Sequence, residues 1–465
     1  MTAGNVNAAA ENQLASGSVG RVLVKFAVPS IIALIVGALY NMVDQIFIGH
    51  GVGMIGNAAT NAAFPLMTIC MSAALLFGVG GASNFNLEMG RGNEKRAAGI
   101  AANALVCSAA AGTVICLAAM IFLKPMLRAF GATDEAMPYA AVYTGIVAAG
   151  SPFMVTGVCS GHIIRADGSP KYAMFCNLIG ALLNTVLDPI FIFVFDMGIA
   201  GAAWATVISM AAGCLAAAAY MTKFRTVRLE RRFFVPRLYI IRAIAAVGSG
   251  ACFNQLAMMC VQVALNNTLT RFGASSVYGS NIPLAASGVI MKVNMIFMGI
   301  VIGVAQGGQP LIGFNYGAGC YSRVRRTFRL TLSAALLVSA AFFAAFQIFP
   351  REIIGIFGEV SDPYYHFAER YFRIFLFMTL INGIQPVTAN FFASIGKAGR
   401  GFFISLTRQI LFLLPLLIVF PRFWGIDGVM YAGPIADAAA AALAVFFIIR
   451  EMREIRRLEM EQNLL

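Results

Sequence analysis

Two aspartates stand inside long uncharged stretches of this chain, Asp44 in YNMVDQIFIGH and Asp188 in NTVLDPIFIF. Burying a carboxylate in an apolar environment costs about 3 kcal/mol or more unless it faces a cavity, meets a partner or binds a cation, so each is a candidate functional group. Burial favours the protonated acid and a bound cation favours the carboxylate, so a proton and a metal cation compete for the same oxygens. Asn184 lies one helical turn before Asp188 on the same face, and Thr206 follows in the next apolar block. The chemistry these four residues offer is reversible cation binding. Plainer alternatives stand beside it. Asp44 could cap the end of its helix, and Asp188 could order the turn before Pro189, whose ring frees a backbone carbonyl.

The elements that must position them are membrane helices. The chain is 60% hydrophobic and 11% charged, against about 45–50% and about 25% in a soluble domain. Its apolar residues come in blocks long enough to cross a hydrocarbon core of about 30 Å. Twelve blocks are read, at 21–48, 57–85, 97–123, 137–163, 172–196, 199–222, 239–268, 281–313, 326–348, 367–395, 402–420 and 426–449. The pattern predicts an all-α integral membrane protein of about twelve transmembrane helices, with loops too short for a soluble domain. The blocks beginning at 57 and 281 are long and glycine-rich, which predicts bent or tilted helices. No Lys or Arg precedes Arg21, so the expected first helix, not a cleaved leader, directs insertion. The nine cysteines are scattered, eight within apolar blocks, and read as packing residues and not as disulfides or metal ligands. Enzyme motifs fail on context: GVGGAS lies inside a membrane block and GKAGR follows no strand. Neither an enzymatic activity nor a cofactor is expected.

Charge sets the expected orientation. Of 33 Lys and Arg, 24 fall on one side of the alternating topology and five on the other, which predicts that both termini are cytoplasmic. The basic run KFRTVRLERRFFVPR (223–237) then reads as a cytoplasmic linker against anionic headgroups, not as a nucleic-acid site. In this frame Asp44 lies about 6 Å, Asp188 about 12 Å and Thr206 about 10 Å from the outer ends of their helices.

The chain also repeats. FGATDEAMPY at Phe130 recurs as FGEVSDPYYH at Phe357, GIAGAAWAT at Gly198 as GIDGVMYAG at Gly425, and MGRGN at Met89 as YGAGC at Tyr316, each 227 positions on. Six helices per half return the chain to its starting side, so the halves relate by an axis along the membrane normal. The expected organisation is a tail at 1–20, a first six-helix lobe at 21–222, the linker at 223–238, a second lobe at 239–449 and a tail at 450–465. Two such bundles enclose a cavity that rocking can expose to either side.

Here the sequence resembles a known family, the multidrug and toxic compound extrusion (MATE) transporters, in the branch typified by MepA and DinF. The resemblance spans about Arg21 to Arg450 and is carried by Pro29 with YNMVDQIFIGH (40–50), GVGGAS with MGRGN, IRADGSPK (164–171), NTVLDPIFIF (184–193), GIAGAAWAT and IGVAQGGQPLIGFNYGAG (302–319). It implies two six-helix bundles and export of amphipathic, cationic organic compounds or drugs by antiport, with H+ preferred and Na+ as the alternative. It implies a multi-pass monomer of a bacterial cytoplasmic membrane. The positions matching the family's first-half cation network are Asp44, Asn184, Asp188 and Thr206, with Na+ possible at Asp44 and Asp188. The asparagines that the family tends to carry on helix 4 are absent from SPFMVTGVCSGHIIR (151–165), where Thr156, Ser160 and His162 supply the polarity.

Fifteen residues before Asp44, Pro29 would kink or loosen helix 1, giving a conformational role. The second half lacks acids matching the first-half pair; Pro415 stands where Asp188 would repeat. Gln255, Gln262 and Asn266, with Met258, Met291 and Met295, are the expected substrate-cavity residues. Arg408 and Asp437 are expected to form a buried structural ion pair, with substrate or proton contact as the alternative. Lys292 tunes a nearby acid or reaches headgroups, and His50 and His366 sit near loops. The competing functions are a lipid-precursor or metabolite exporter of the same superfamily and a non-transporting receptor or scaffold. The internal repeat speaks against the last.

Overall fold

The computed structural model describes residues 13–279, 281–356 and 362–464. Among them are eleven helices long and apolar enough to span a membrane and one bent pair that makes a twelfth span. They are α1 (Val19–Gly51), α2 (Met54–Gly90), α3 (Glu94–Ile121), α4 (Met137–Ala166), α5 (Pro170–Pro189) and α6 (Gly198–Met221) in the first half. The second half holds α7 (Leu238–Ala274), α8 (Asn281–Gly317), α9 (Tyr321–Ile348), the bent pair α10 (Asp362–Phe375 and Thr379–Ser394), α11 (Ala398–Trp424) and α12 (Ile426–Leu464). The protein is an all-helical, multi-span membrane protein of two related six-helix bundles. The 37 residues of α2 and of α8 reach about 55 Å, well beyond the hydrocarbon thickness.

Three departures from the expected helices have physical causes. The tenth span is broken, bending by 45° between Phe375 and Thr379. The fifth helix of each half carries a wide π turn, at Ile190–Val194 following α5 and at Thr407–Leu413 within α11. Pro189 leads directly into the first of these, where a residue without an N–H interrupts the regular ladder. Finally, α12 runs to Leu464, well past the end of its apolar block. Its polar extension is held by charge pairs. Glu451 is fully buried and pairs with Lys397 at 2.7 Å and with Arg400; Glu454 lies 3.1 Å from Lys397; Glu459 pairs with Arg325. These contacts raise the ammonium of Lys397 above its ordinary range, the carboxylates of Glu451 and Glu454 outweighing the burial that opposes them.

The repeat is visible in the backbone. Gly92 and Gly319, and Gly198 and Gly425, are pairs 227 positions apart, and all four take positive φ, where a side chain would be strained. The short helix Leu123–Ala129 recurs as Pro350–Gly355. Glu88 meets Arg96 at 3.7 Å in the first half, and the equivalent pair in the second is Asn315 with Arg323 at 3.0 Å. The second copy of the Phe130 motif begins at Phe357, outside the described residues. At the centre, equivalent positions touch: a Cβ on Gly317 would stand 3.2 Å from Gly90 Cα.

The halves are pressed together by helices without side chains at their crossings. A Cβ on Gly248 (α7) would lie 1.8 Å from the Leu76 carbonyl oxygen of α2, and one on Gly80 would lie 2.1 Å from that of Ile244. On the other flank a Cβ on Gly303 or Gly307 of α8 would lie 2.7 Å from Ile31 or 2.6 Å from Ala27 of α1. All of these approaches lie toward the side that carries the basic loops. That side is where the bundles close on one another.

Gly248→Ala therefore overpacks the crossing, a defect that costs about 1–3 kcal/mol. It should lower the melting temperature in detergent by several degrees, whereas Gly20→Ala, with no heavy atom within 4 Å of the added carbon, should not. Equal melting of the two variants would contradict the packing described.

Candidate functional site

Asp44 stands on α1 seven residues before its end at Gly51, about 10 Å along the helix. Asp188 closes the regular part of α5, immediately before Pro189 and the π turn. Asp188 is fully buried, Asp44 is 7% exposed, and the two carboxyls are close enough for their charges to interact. Asn184 donates from Nδ2 to Asp188 Oδ1 at 3.2 Å. Thr206, on α6, is buried and donates to the Ala202 carbonyl at 3.0 Å.

Two tyrosines complete the cluster. Tyr40, one turn before Asp44, and Tyr143 of α4 are close enough to feel the charge of both carboxyls, and Tyr143 lies near Thr206. Tyr40 could have been read from its i−4 spacing to Asp44. Nothing in the local sequence ties Tyr143 to a site formed by three other helices. The helix 4 residues considered from sequence lie elsewhere: Ser160 and His162 are buried near the other end, about 25 Å along the helix from Tyr143.

The cluster is short of donors. Asp44 Oδ1, Asp188 Oδ2 and Asn184 Oδ1 are buried without a hydrogen-bond partner among the described residues, and no Lys, Arg or His joins the site. Two facing carboxyls in a poorly solvated pocket repel when both are ionised, and the arrangement is relieved by a shared proton or an intervening cation. No group of three or more His, Cys, Asp or Glu that could hold a metal ion occurs among the described residues. The available donors are oxygens, which suit a proton or a hard cation.

The second half contains a compensated site instead. Arg408, on the π turn of α11, bonds through Nε to Asp437 Oδ1 of α12, and Asn382 Nδ2 donates to Asp437 Oδ2 at 3.2 Å. The side chains of Arg408 and Asp437 are 13% and 3% exposed. On α7, Gln262 donates to Asn266 Oδ1 at 2.9 Å, and both are half-buried, as is Gln255. Met258, Met295 and Lys292 are exposed, while Met291 is half-buried against the second-half core. His50 and His366 are exposed; His366 Nδ1 lies 3.1 Å from Tyr278 Oη.

Comparison with known proteins bears on both halves. A model of the MatE family matches residues 29–190 and 251–419, once in each bundle. The Multidrug export protein MepA of Staphylococcus aureus strain MSSA476 is 24% identical over 435 residues, covering 93% of this chain and 94% of that protein. A structure described as an outward-facing conformation of a multidrug resistance MATE family transporter of the MOP superfamily aligns with a TM-score of 0.88 at 23% identity, covering 95% of this chain and 98% of that one. A MOP superfamily transporter from Pyrococcus furiosus gives the same score and identity over 96% and 98%. At these identities the structures establish the fold.

The unpaired carboxyls make a stability prediction. Asp44→Asn replaces one of two repelling groups with a donor to the other, so it should raise the melting temperature at pH 8 by a few degrees, about 1 kcal/mol or more. The gain should shrink on acidification, when a proton does the same work. A variant less stable than the parent at pH 8 would mean the pair is compensated by a cation in solution.

Proposed function

Because the chain belongs to the MatE family of transporters, we propose that it exports amphipathic, cationic organic compounds in exchange for protons bound at Asp44 and Asp188. The observation that carries this reading is the buried, facing carboxyl pair with orphaned oxygens and no basic partner. Its similarity to the multidrug export protein of S. aureus supports an organic-compound cargo. Sodium is the alternative coupling ion at the same oxygens. The side bearing 24 of the basic residues is the cytoplasm, with both termini there, and the working unit is the monomer.

α1 supplies the mechanical link. It carries Asp44 near one end, and Ala27 and Ile31, on which α8 of the other half packs, near the other. Pro29 lies between these two contact residues, and beside it the Ser30 hydroxyl donates to the Phe26 carbonyl at 2.9 Å. A change of proton occupancy that alters the α1–α5 contact at Asp44 is thereby passed to the crossing that closes the cytoplasmic side. An interaction change of about 1.4 kcal/mol shifts a balanced pair of conformations tenfold, so one proton is sufficient. Thr206, Asn184, Tyr40 and Tyr143 hold the carboxyl geometry; Gln255, Gln262, Asn266, Met258, Met291 and Met295 serve the cargo from the second half.

Proteoliposomes with imposed pH or sodium gradients, followed by efflux of a fluorescent organic cation, test this. Asp188→Asn and Asp44→Asn should each reduce gradient-driven efflux at least about tenfold, the scale of a lost general proton carrier. Undiminished efflux in both would sink the coupling site, and efflux driven by sodium alone would replace the proton. Pro29→Ala should slow efflux without abolishing binding of the dye; efflux at the parent's rate removes Pro29 from the mechanism.

A further inference from the structure

The charge pattern groups Arg165 with the loop cations, but in the structure it lies in the last turn of α4 with its side chain turned inward. Its guanidinium donates through Nη1 to Gln306 Oε1 of α8 at 2.5 Å and to Ser30 Oγ of α1 at 3.4 Å. His162 Nδ1 accepts from Nη2 at 3.2 Å. The arginine is thus at the seam between the two halves, between the α1–α8 crossings at Gly303 and Gly307.

All three acceptors are neutral. Among the described residues no carboxylate forms an ion pair with Arg165, whereas Arg91, Lys397, Arg400, Arg325 and Arg408 each have one. The nearby acids are committed elsewhere. Asp167, two residues on, takes Tyr220 Oη at 2.7 Å, the N–H groups of Arg225 and Thr226 at 2.8 and 3.0 Å, and Thr226 Oγ1 at 2.5 Å. Glu88 of α2 is taken by Arg91 and Asn93 at 2.8 and 2.9 Å. Arg165 is half-buried; a guanidinium partly removed from water without a counter-charge is costly, and its fork of N–H donors matches a carboxylate or phosphate in bidentate fashion.

We propose that Arg165 is an anion-binding site at the cytoplasmic mouth, which takes the carboxylate or phosphate group of an incoming compound. This rests on the exporter reading above. Ser30 and His162 belong to the same half as Arg165, but Gln306 belongs to the other. Separating the halves on the cytoplasmic side withdraws Gln306 and leaves the guanidinium facing the opening with a free edge. Closure brings Gln306 back to the same donors. The amide and the anion therefore compete for one set of hydrogen bonds: an anionic group binds the open mouth, and closing displaces it toward the cavity. The cargo selected in this way carries an anionic group for Arg165 beside its cationic centre.

A rhodamine with a free carboxylate and its methyl ester differ only in that anion. Their efflux is compared in phosphatidylcholine proteoliposomes in phosphate-free buffer, and their equilibrium binding to the detergent-solubilised protein is read by fluorescence anisotropy, which needs no transport. Arg165→Gln should lower the acid-to-ester ratio about tenfold in both assays, and Arg165→Lys should restore part of it. Gln306→Glu, which gives Arg165 an internal carboxylate while keeping the bridge, should lower the ratio as far as Arg165→Gln does. A ratio unmoved by Arg165→Gln, including an equal fall for both dyes, overturns the anion site while leaving the exporter intact. Failure of the parent to export either dye, with the binding ratio still sensitive to Arg165→Gln, overturns the exporter reading and keeps the site. If the ratio responds only after phosphatidylglycerol or inorganic phosphate is added, the site belongs to a headgroup or free phosphate and the assignment to cargo falls.

Discussion

An acid that has lost its water and found no base governs this molecule. Asp44 and Asp188 sit close together on two helices, and Asp44 Oδ1 and Asp188 Oδ2 have no hydrogen-bond partner among the described residues. Two such carboxyls repel when both are ionised, and a proton or a cation between them relieves the repulsion. The second bundle, with the same topology, resolves the problem internally: Asp437 has Arg408 and Asn382. One scaffold thus carries a facing pair of acids in one half and an acid paired with a base in the other.

The packing of the halves follows from the same economy of charge and volume. Helix crossings at Gly80, Gly248, Gly303 and Gly307 bring backbones together on one side of the membrane, where dispersion contacts do not depend on solvent. Such contacts are shallow and reversible compared with buried ion pairs. The strong pairs lie outside the seam: Glu451 with Lys397 and Arg400 binds α12 to the loop before α11, both in the second half. The ion pairs of Glu451, Glu459 and Asp437 thus lie within the second half, while the seam is made of close backbone packing and hydrogen bonds such as Arg165 to Gln306.

Much of the fold was legible because the bilayer sets a sharp threshold. A span needs about 20 apolar residues, and the twelve blocks cross it. The repeat was legible because turn positions at positive φ, such as Gly92 and Gly319, favour glycine in both halves. Hydropathy was blind where helices persist for other reasons: the extension of α12 beyond Ile449 is polar and depends on partners in α9 and α11's leading loop. It was equally blind to breaks made by tertiary packing, as between Phe375 and Thr379. At the site, the acids announced themselves by their surroundings, and Asn184 by its spacing from Asp188. Tyr143 and Arg165 did not, since a tyrosine near a helix end and an arginine near a loop are ordinary in sequence. Only the fold turns them inward.

The contact of Gly90 with Gly317 carries an implication about ancestry. These residues occupy the same position in the two halves, and they meet at the seam between them. Self-contact of one position is the mark of an isologous interface, the kind formed by two copies of a single subunit around a two-fold axis. Read that way, the seam is a dimer interface that a linker has made covalent, joining two six-helix units that already inserted in the same direction. The two copies now differ: Glu88 in one stands where Asn315 stands in the other, with Arg96 and Arg323 at matching places, and only one half holds the paired acids.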